Sequence, residues 1–147
     1  LHHTPGVSAT IITGKNQKAY ETWYGKYEDI EVLGYTENMS DHVKEADLVI
    51  TKAGGITLFE LIHCEVPLFV IHPFLEQEVN NARYAQEHGI ARVIWDKTTD
   101  FTGVLKEFLS DDRQWQEMKK NMRRVKREIM ECSVEDAMRT VAERMAA

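Results

Sequence analysis

The sequence predicts an α/β protein: a Rossmann-like parallel sheet of about five or six strands with helices on both faces and a helical carboxyl-terminal extension. Three observations predict it. Short apolar, β-branched runs recur along the 147 residues. Each interval between them is long enough for a helix. The third run leads into a two-glycine turn that opens a helix. Strands separated by helical intervals need crossover connections, which are right-handed and cover both faces of a parallel sheet.

The elements follow in order. Ala9 to Thr13 is the first strand, and Gln17 to Tyr27 is its helix. Ile30 to Leu33 is the second strand, followed by a helix over Met39 to Ala46. Leu48 to Thr51 has the apolar character of a strand buried on both faces, and Thr57 to Cys64 is helical, with Thr57 and Glu60 spaced as a capping box. Pro67 and Pro73 bracket a fourth strand, Leu68 to Ile71, where no ladder N–H is needed. A helix over Gln77 to His88 stops at Gly89, and Ala91 to Trp95 is the fifth strand. Phe101 to Leu109 is helical. Two apolar stripes of helical period then follow, one through Trp115, Met118, Met122, Val125 and Ile129, the other from Val134 to Met145 behind a cap at Ser133 and Asp136. Their period is that of packed helix faces.

A chain of 147 residues fits one domain with a real core. At 43% hydrophobic and 29% charged residues it reads as a soluble globular protein, and no apolar run has the length of a membrane span. The net charge of −6 argues against nucleic acid as a partner. Lys119, Lys120, Arg123, Arg124, Lys126 and Arg127 form a local basic row, read as a solvated helix face with a membrane surface as the sharper alternative. Cys64 and Cys132 have neither disulfide-framework nor zinc spacing, so a reducing, cytoplasmic setting fits, with the cytoplasmic face of the membrane as the alternative. The start at Leu1 rather than methionine suggests a piece of a longer protein.

Ligands of open parallel sheets bind beyond the carboxyl ends of the strands. There the sequence gathers Gly14, Lys15 and Asn16; then Gly34, Tyr35, Thr36, Glu37 and Asn38; then Lys52, Gly54, Gly55, Ile56 and Thr57; then His72, Pro73, Phe74, Gln77 and Glu78. Gly54 and Gly55 are free to take positive φ and admit a ligand to bare backbone, and the unpaired N–H groups and dipole of the next helix suit a phosphate. The spacing is neither GxGxxG nor GxxxxGK[ST], which counts against a dehydrogenase and a P-loop ATPase. A carboxylate one turn on, Glu60, suits a ribose diol, Gln77 and Glu78 suit sugar hydroxyls, and Tyr35 offers a stacking ring. Each has a plainer account: cap, core ring, solvated lysine, or first-turn acid. Their convergence at one sheet edge favours a sugar nucleotide. With no Asp-x-Asp motif, neither metal nor other cofactor is expected, since helix N–H groups and Lys15 can neutralise the diphosphate.

Gly14-Lys15-Asn16, Val32-Leu33-Gly34-Tyr35-Thr36-Glu37-Asn38, Thr51-Lys52-Ala53-Gly54-Gly55-Ile56-Thr57 with Glu60, and Pro73 with Gln77-Glu78 and Asn81-Ala82 resemble the donor-binding carboxyl-terminal domain of family 28 glycosyltransferases, one half of the GT-B fold. The resemblance covers most of the chain and is strongest to processive diacylglycerol glucosyltransferases and monogalactosyldiacylglycerol synthases. It implies a UDP-sugar with uracil near the loop at Tyr35 to Asn38, the diphosphate on the turn at Gly54, Gly55 and Thr57, ribose on Glu60, and sugar on Gln77 with Glu78, with Lys52, Ile56 and Asn81 as further substrate-binding residues. His72 is expected as a polar contact to sugar or phosphate. It implies inverting, metal-independent hexosyl transfer to a diacylglycerol-type lipid, with the general base on an amino-terminal acceptor domain that this chain lacks, so the chain alone is expected to be inactive. Leu75 and Glu76 stand where such relatives carry Pro-Gly, which leaves the donor sugar open. Two other readings are a non-catalytic donor-binding subunit of a split enzyme and half of a UDP-sugar 2-epimerase.

Overall fold

The computed structural model describes residues 6–131. Cys132, the Ser133 and Asp136 cap and the stripe from Val134 to Met145 lie outside the described residues. The elements are β1 (Ala9–Ile12), α1 (Gln17–Trp23), β2 (Ile30–Leu33), α2 (Met39–Glu45), β3 (Val49–Thr51), α3 (Gly55–Cys64), β4 (Leu68–Ile71), α4 (Glu76–Glu87), β5 (Ala91–Ile94), α5 (Phe101–Leu109) and α6 (Asp112–Glu131). Every predicted strand and helix within these residues is present. α1 ends earlier than expected, at Trp23, shortly before Gly25 turns to φ +66°.

All ladders are parallel, but the five strands form two sheets, not the single sheet of five or six that the sequence predicts. β1 pairs with β2, and β3, β4 and β5 pair in that order. The difference has a physical source. Apolar alternation reports that a segment is a strand, not which neighbour its ladder joins. β3 is three residues long, half-buried throughout, and its ladder goes to β4 alone.

The chain divides into two compact units, Leu1–His42 and Val43–Ala147. In the first, Ala9 to Ile12 pair in register with Ile30 to Leu33, Val32 is buried, and α1 buries no residue. In the second, alternate residues of β4 feed two cores, as the pleat requires. Leu68 and Val70 pack with Leu58, Leu61 and Ile62 of α3, Ala82 and Ala85 of α4, and Met122 and Val125 of α6. Phe69 faces the other way, onto Leu105 and Phe108 of α5 and Met118 of α6. Its ring meets those of Phe108 and Phe101 edge-on, at 5.1 and 6.2 Å. This sheet is therefore covered by helices on both faces, which leaves the carboxyl ends of its strands as the place where loops can present chemistry.

Candidate functional site

The turn after β3 is the centre of the candidate site. The sequence leaves Gly54 and Gly55 free to take positive φ, but the left-handed residue is Ala53, at φ +61° and fully buried, whereas Gly54 is extended at φ −58°, ψ 146°. An L-residue in this conformation costs about 1–2 kcal/mol, so something must hold it. Asn81 on α4 does, donating from Nδ2 to the Ala53 carbonyl at 2.9 Å. The Thr57–Glu60 capping box does not form either, because α3 begins two residues sooner: Gly54 is the N-cap, its carbonyl accepts from Leu58 N–H at 2.9 Å, and no side chain caps the helix. The amides of Gly55, Ile56 and Thr57 thus form an open helix start, with positive dipole and donors unspent.

Gly55 has a reason other than conformational freedom. A β-carbon there would lie 3.2 Å from Gln77 Nε2 and 3.7 Å from Asn81 Nδ2, so glycine lets α4 close on the start of α3. Gln77 accordingly overlies the first residue of the helix. Glu60 is half-buried one turn further and makes no hydrogen bond or ion pair among the described residues. Ile56 is 80% exposed. Glu78 is partly occupied: its Oε2 accepts from the N–H groups of Phe74 and Leu75 at 3.2 and 3.4 Å, capping α4 at Leu75, whose own side chain has no acceptor to complete a box. Lys52 extends its Nζ over the Phe74 ring, 4.6 Å from the centroid.

His72 leaves β4 at φ +45° and donates its N–H to Ile94 O at 2.9 Å, prolonging the ladder to β5. Its Nε2 is buried with no partner. Asp96, just past β5, is held below the usual carboxylate value chiefly by the Thr98 N–H at 2.8 Å, with a smaller contribution from nearby His72.

In Leu1–His42 the predicted residues are organised by bonds within their loops and by one between them. Gly14 is left-handed at φ +57° and donates to Gly34 O at 3.2 Å. Asn16 caps α1, its Oδ1 accepting from Ala19 N–H at 3.0 Å. Thr36 Oγ1 accepts from Asn38 N–H at 3.1 Å, and the Asn38 carbonyl accepts from Asp41 N–H at 3.1 Å as α2 begins. Lys15 Nζ lies 5.9 Å from the centroid of Tyr35, which is 67% exposed.

The basic row of α6 is largely engaged within the protein. Arg123 and Lys126 both reach Glu65, at 3.2 and 3.0 Å; Arg124 pairs with Glu128 at 3.0 Å and donates to His88 O at 3.1 Å; Lys119 lies over Trp115. Among the described residues no helix is long and apolar enough to cross a membrane, and no group of three His, Cys, Asp or Glu could hold a metal ion.

The left-handed Ala53 and the aromatic rest for Lys52 were missed by sequence reasoning. Alanine carries no signal for positive φ, and Lys52 and Phe74 are joined only by the pairing of β3 with β4.

The fold is that of GT-B glycosyltransferases. It matches the spinosyn rhamnosyltransferase SpnG with a TM-score of 0.73 at 18% identity, over 97% of this chain and 37% of that one. It also matches the crystal structure of Acinetobacter baumannii MurG with a TM-score of 0.62 at 24% identity, over 81% of this chain and 37% of that one. The chain belongs to glycosyltransferase family 28: the profile of the family's C-terminal domain matches residues 4–136. Curated relatives include processive diacylglycerol beta-glucosyltransferases of Bacillus thuringiensis (strain Al Hakam), 32% identical over 84% of this chain, and of Staphylococcus carnosus (strain TM300), 28% identical over 86%. The chain spans about a third of the length of these relatives, 32% and 33% respectively.

Proposed function

We propose that this chain is the donor-binding part of an inverting hexosyltransferase that takes a UDP-sugar and glycosylates a diacylglycerol-type lipid. The observation that carries the reading is the uncapped start of α3, with Gln77 lying over it and the unpaired Glu60 one turn along, in a chain of family 28. In this reading the amides of Gly55, Ile56 and Thr57 take the diphosphate, Lys52 adds a cation, Glu60 accepts from the ribose hydroxyls, and Gln77 with the free oxygen of Glu78 reads the sugar. Asn81 acts by fixing Ala53 rather than by touching the ligand. As the acceptor hydroxyl attacks the anomeric carbon, the glycosidic C–O bond breaks and negative charge collects on the departing UDP. Preorganised amides at a helix start stabilise that charge without reorganising, so no metal or other cofactor is assigned to this site. The base that takes the acceptor proton belongs to an amino-terminal acceptor domain in the same reading, and the proposed setting is the cytoplasmic face of the membrane, where a lipid acceptor would be met.

Titration of the chain with UDP and UDP-sugars tests this with Gly54→Asp. Position 54 is extended and a β-carbon there meets nothing within 4 Å, so the new carboxylate can cap α3 and gain a few tenths of a kcal/mol of stability. UDP affinity should fall at least about tenfold while stability holds or rises, because the amides are taken and a like charge sits beside the phosphate. Undiminished UDP binding by that variant would remove the diphosphate from α3. Gln77→Ala should weaken a UDP-sugar more than UDP, and the sugar giving the larger difference identifies the donor.

A further inference from the structure

Two exposed lysines of the candidate loops lie over aromatic rings. Lys52, directly after β3, lies over Phe74, three residues past the end of β4, at 4.6 Å from its centroid. The same arrangement recurs in Leu1–His42, where Lys15 after β1 lies 5.9 Å from the centroid of Tyr35 after β2. Other lysine–aromatic contacts here, Lys26 with Trp23 and Lys119 with Trp115, join near neighbours in sequence, which meet whatever their role. The two loop pairs instead join segments that follow different, hydrogen-bonded strands.

Phe74 is 67% exposed, so its ring adds little to a core. Its backbone is nevertheless fixed, because its N–H donates to Glu78 Oε2 and the loop runs directly into α4. Lys52 in turn precedes Ala53, whose carbonyl Asn81 of the same α4 holds. One helix therefore sets both the ring and the backbone from which the ammonium extends. A free lysine loses much rotamer freedom when it engages an anion, and a lysine already resting on a ring has lost part of it beforehand.

We propose that Phe74 is a positioning residue: its ring holds the Lys52 ammonium beside the start of α3 so that the cation is in place for the donor diphosphate. The proposal rests on the donor reading above. Phe74 acts only through Lys52 and touches no reacting atom.

The experiment is a double-mutant cycle on UDP affinity with the chain, using Phe74→Leu, Phe74→Tyr, Lys52→Met and Phe74→Leu with Lys52→Met, each checked for an unchanged melting temperature. Phe74→Leu should weaken UDP by about two- to fivefold, the range of an exposed cation–π contact. Phe74→Tyr, which keeps the π face, should restore wild-type affinity. Lys52→Met should lose at least as much, and adding Phe74→Leu to it should cost nothing more. Wild-type affinity in Phe74→Leu would overturn the proposal, as would a loss that persists in full without Lys52, since Phe74 would then contact the ligand itself. If UDP failed to bind the unmodified chain, the donor reading would fall and this role with it. That result is distinct from binding that is merely indifferent to Phe74.

Discussion

Leu1–His42 and Val43–Ala147 present the same kinds of residue after their strands, glycine, lysine and a nearby ring, yet they hold them by different means. In Leu1–His42 two bonds lie within single loops, Asn16 to Ala19 and Thr36 to Asn38, and one, Gly14 to Gly34, joins the loops across one strand pair. Val32 is the one core residue among its described residues. In Val43–Ala147 the turn at Ala53 is held by Asn81, on a helix whose Ala82 and Ala85 lie in a core shared with α3, β4, β5 and α6. The contrast teaches that the proposed diphosphate end inherits its geometry from a packed interior, whereas the loops at Lys15 and Tyr35 depend on contacts that open locally at small cost.

The sharpest way to break this comparison is to damage each core. Phe69→Ala removes a fully buried ring between Phe101 and Phe108 and should cost about 3–5 kcal/mol in denaturant unfolding. Ile11→Ala removes a half-buried chain from β1 and should cost well under half of that. Amide exchange should agree, with β4 protected to the level of global unfolding and β1 exchanging sooner. Equal costs and equal protection would show that Leu1–His42 is as firmly packed as its neighbour.

A smaller effect sharpens the comparison at the site itself. Asn81→Ala should destabilise by about 1–2 kcal/mol, through the lost bond and the strained Ala53 it restrains. It should also weaken UDP more than the truncation of Asn16 does, because Asn16 caps only α1. If Asn81→Ala left UDP affinity alone, the turn would be holding its shape without α4.

The smallest effect is electrostatic. Glu65, itself left-handed at φ +59°, has its carboxyl pulled below the ordinary value of 4.5, first by the hydrogen bond from Lys126 and then by Arg123, against some desolvation. A depressed folded-state value adds stability that is whole above the unfolded value and fades as pH falls through the folded one. The group is 35% exposed on its side chain, so Glu65→Gln should cost no more than about 1 kcal/mol near neutrality. The difference from wild type should shrink as pH falls below the ordinary value of 4.5 and disappear only below the depressed folded one, in paired urea titrations. A difference that grew in acid would contradict the assignment.

Much of this architecture was legible in the sequence because the strands are short β-branched runs between helical intervals, and Pro67, Pro73 and Gly89 punctuate them where expected. The glycine pair was also legible as the opening of a helix. What escaped was set by tertiary contacts. The split into two sheets is a matter of ladder partners, which alternation does not encode. The left-handed conformation falls on Ala53, whose carbonyl Asn81 holds, rather than on a glycine, and the helix starts at Gly55 rather than Thr57, with Gly54 as its N-cap and no side-chain cap. Glu78 was legible as a polar residue at the right edge, but the sequence alone did not divide its oxygens between its own helix and a ligand.

The 3.2 Å between Gln77 Nε2 and a β-carbon at position 55 couples the two positions. The contact is with the far end of a flexible side chain, so an alanine at 55 asks the glutamine amide to yield by a few tenths of an ångström. Shortening residue 77 would free that space, and Gly55→Ala should therefore cost less beside Gln77→Ala than alone.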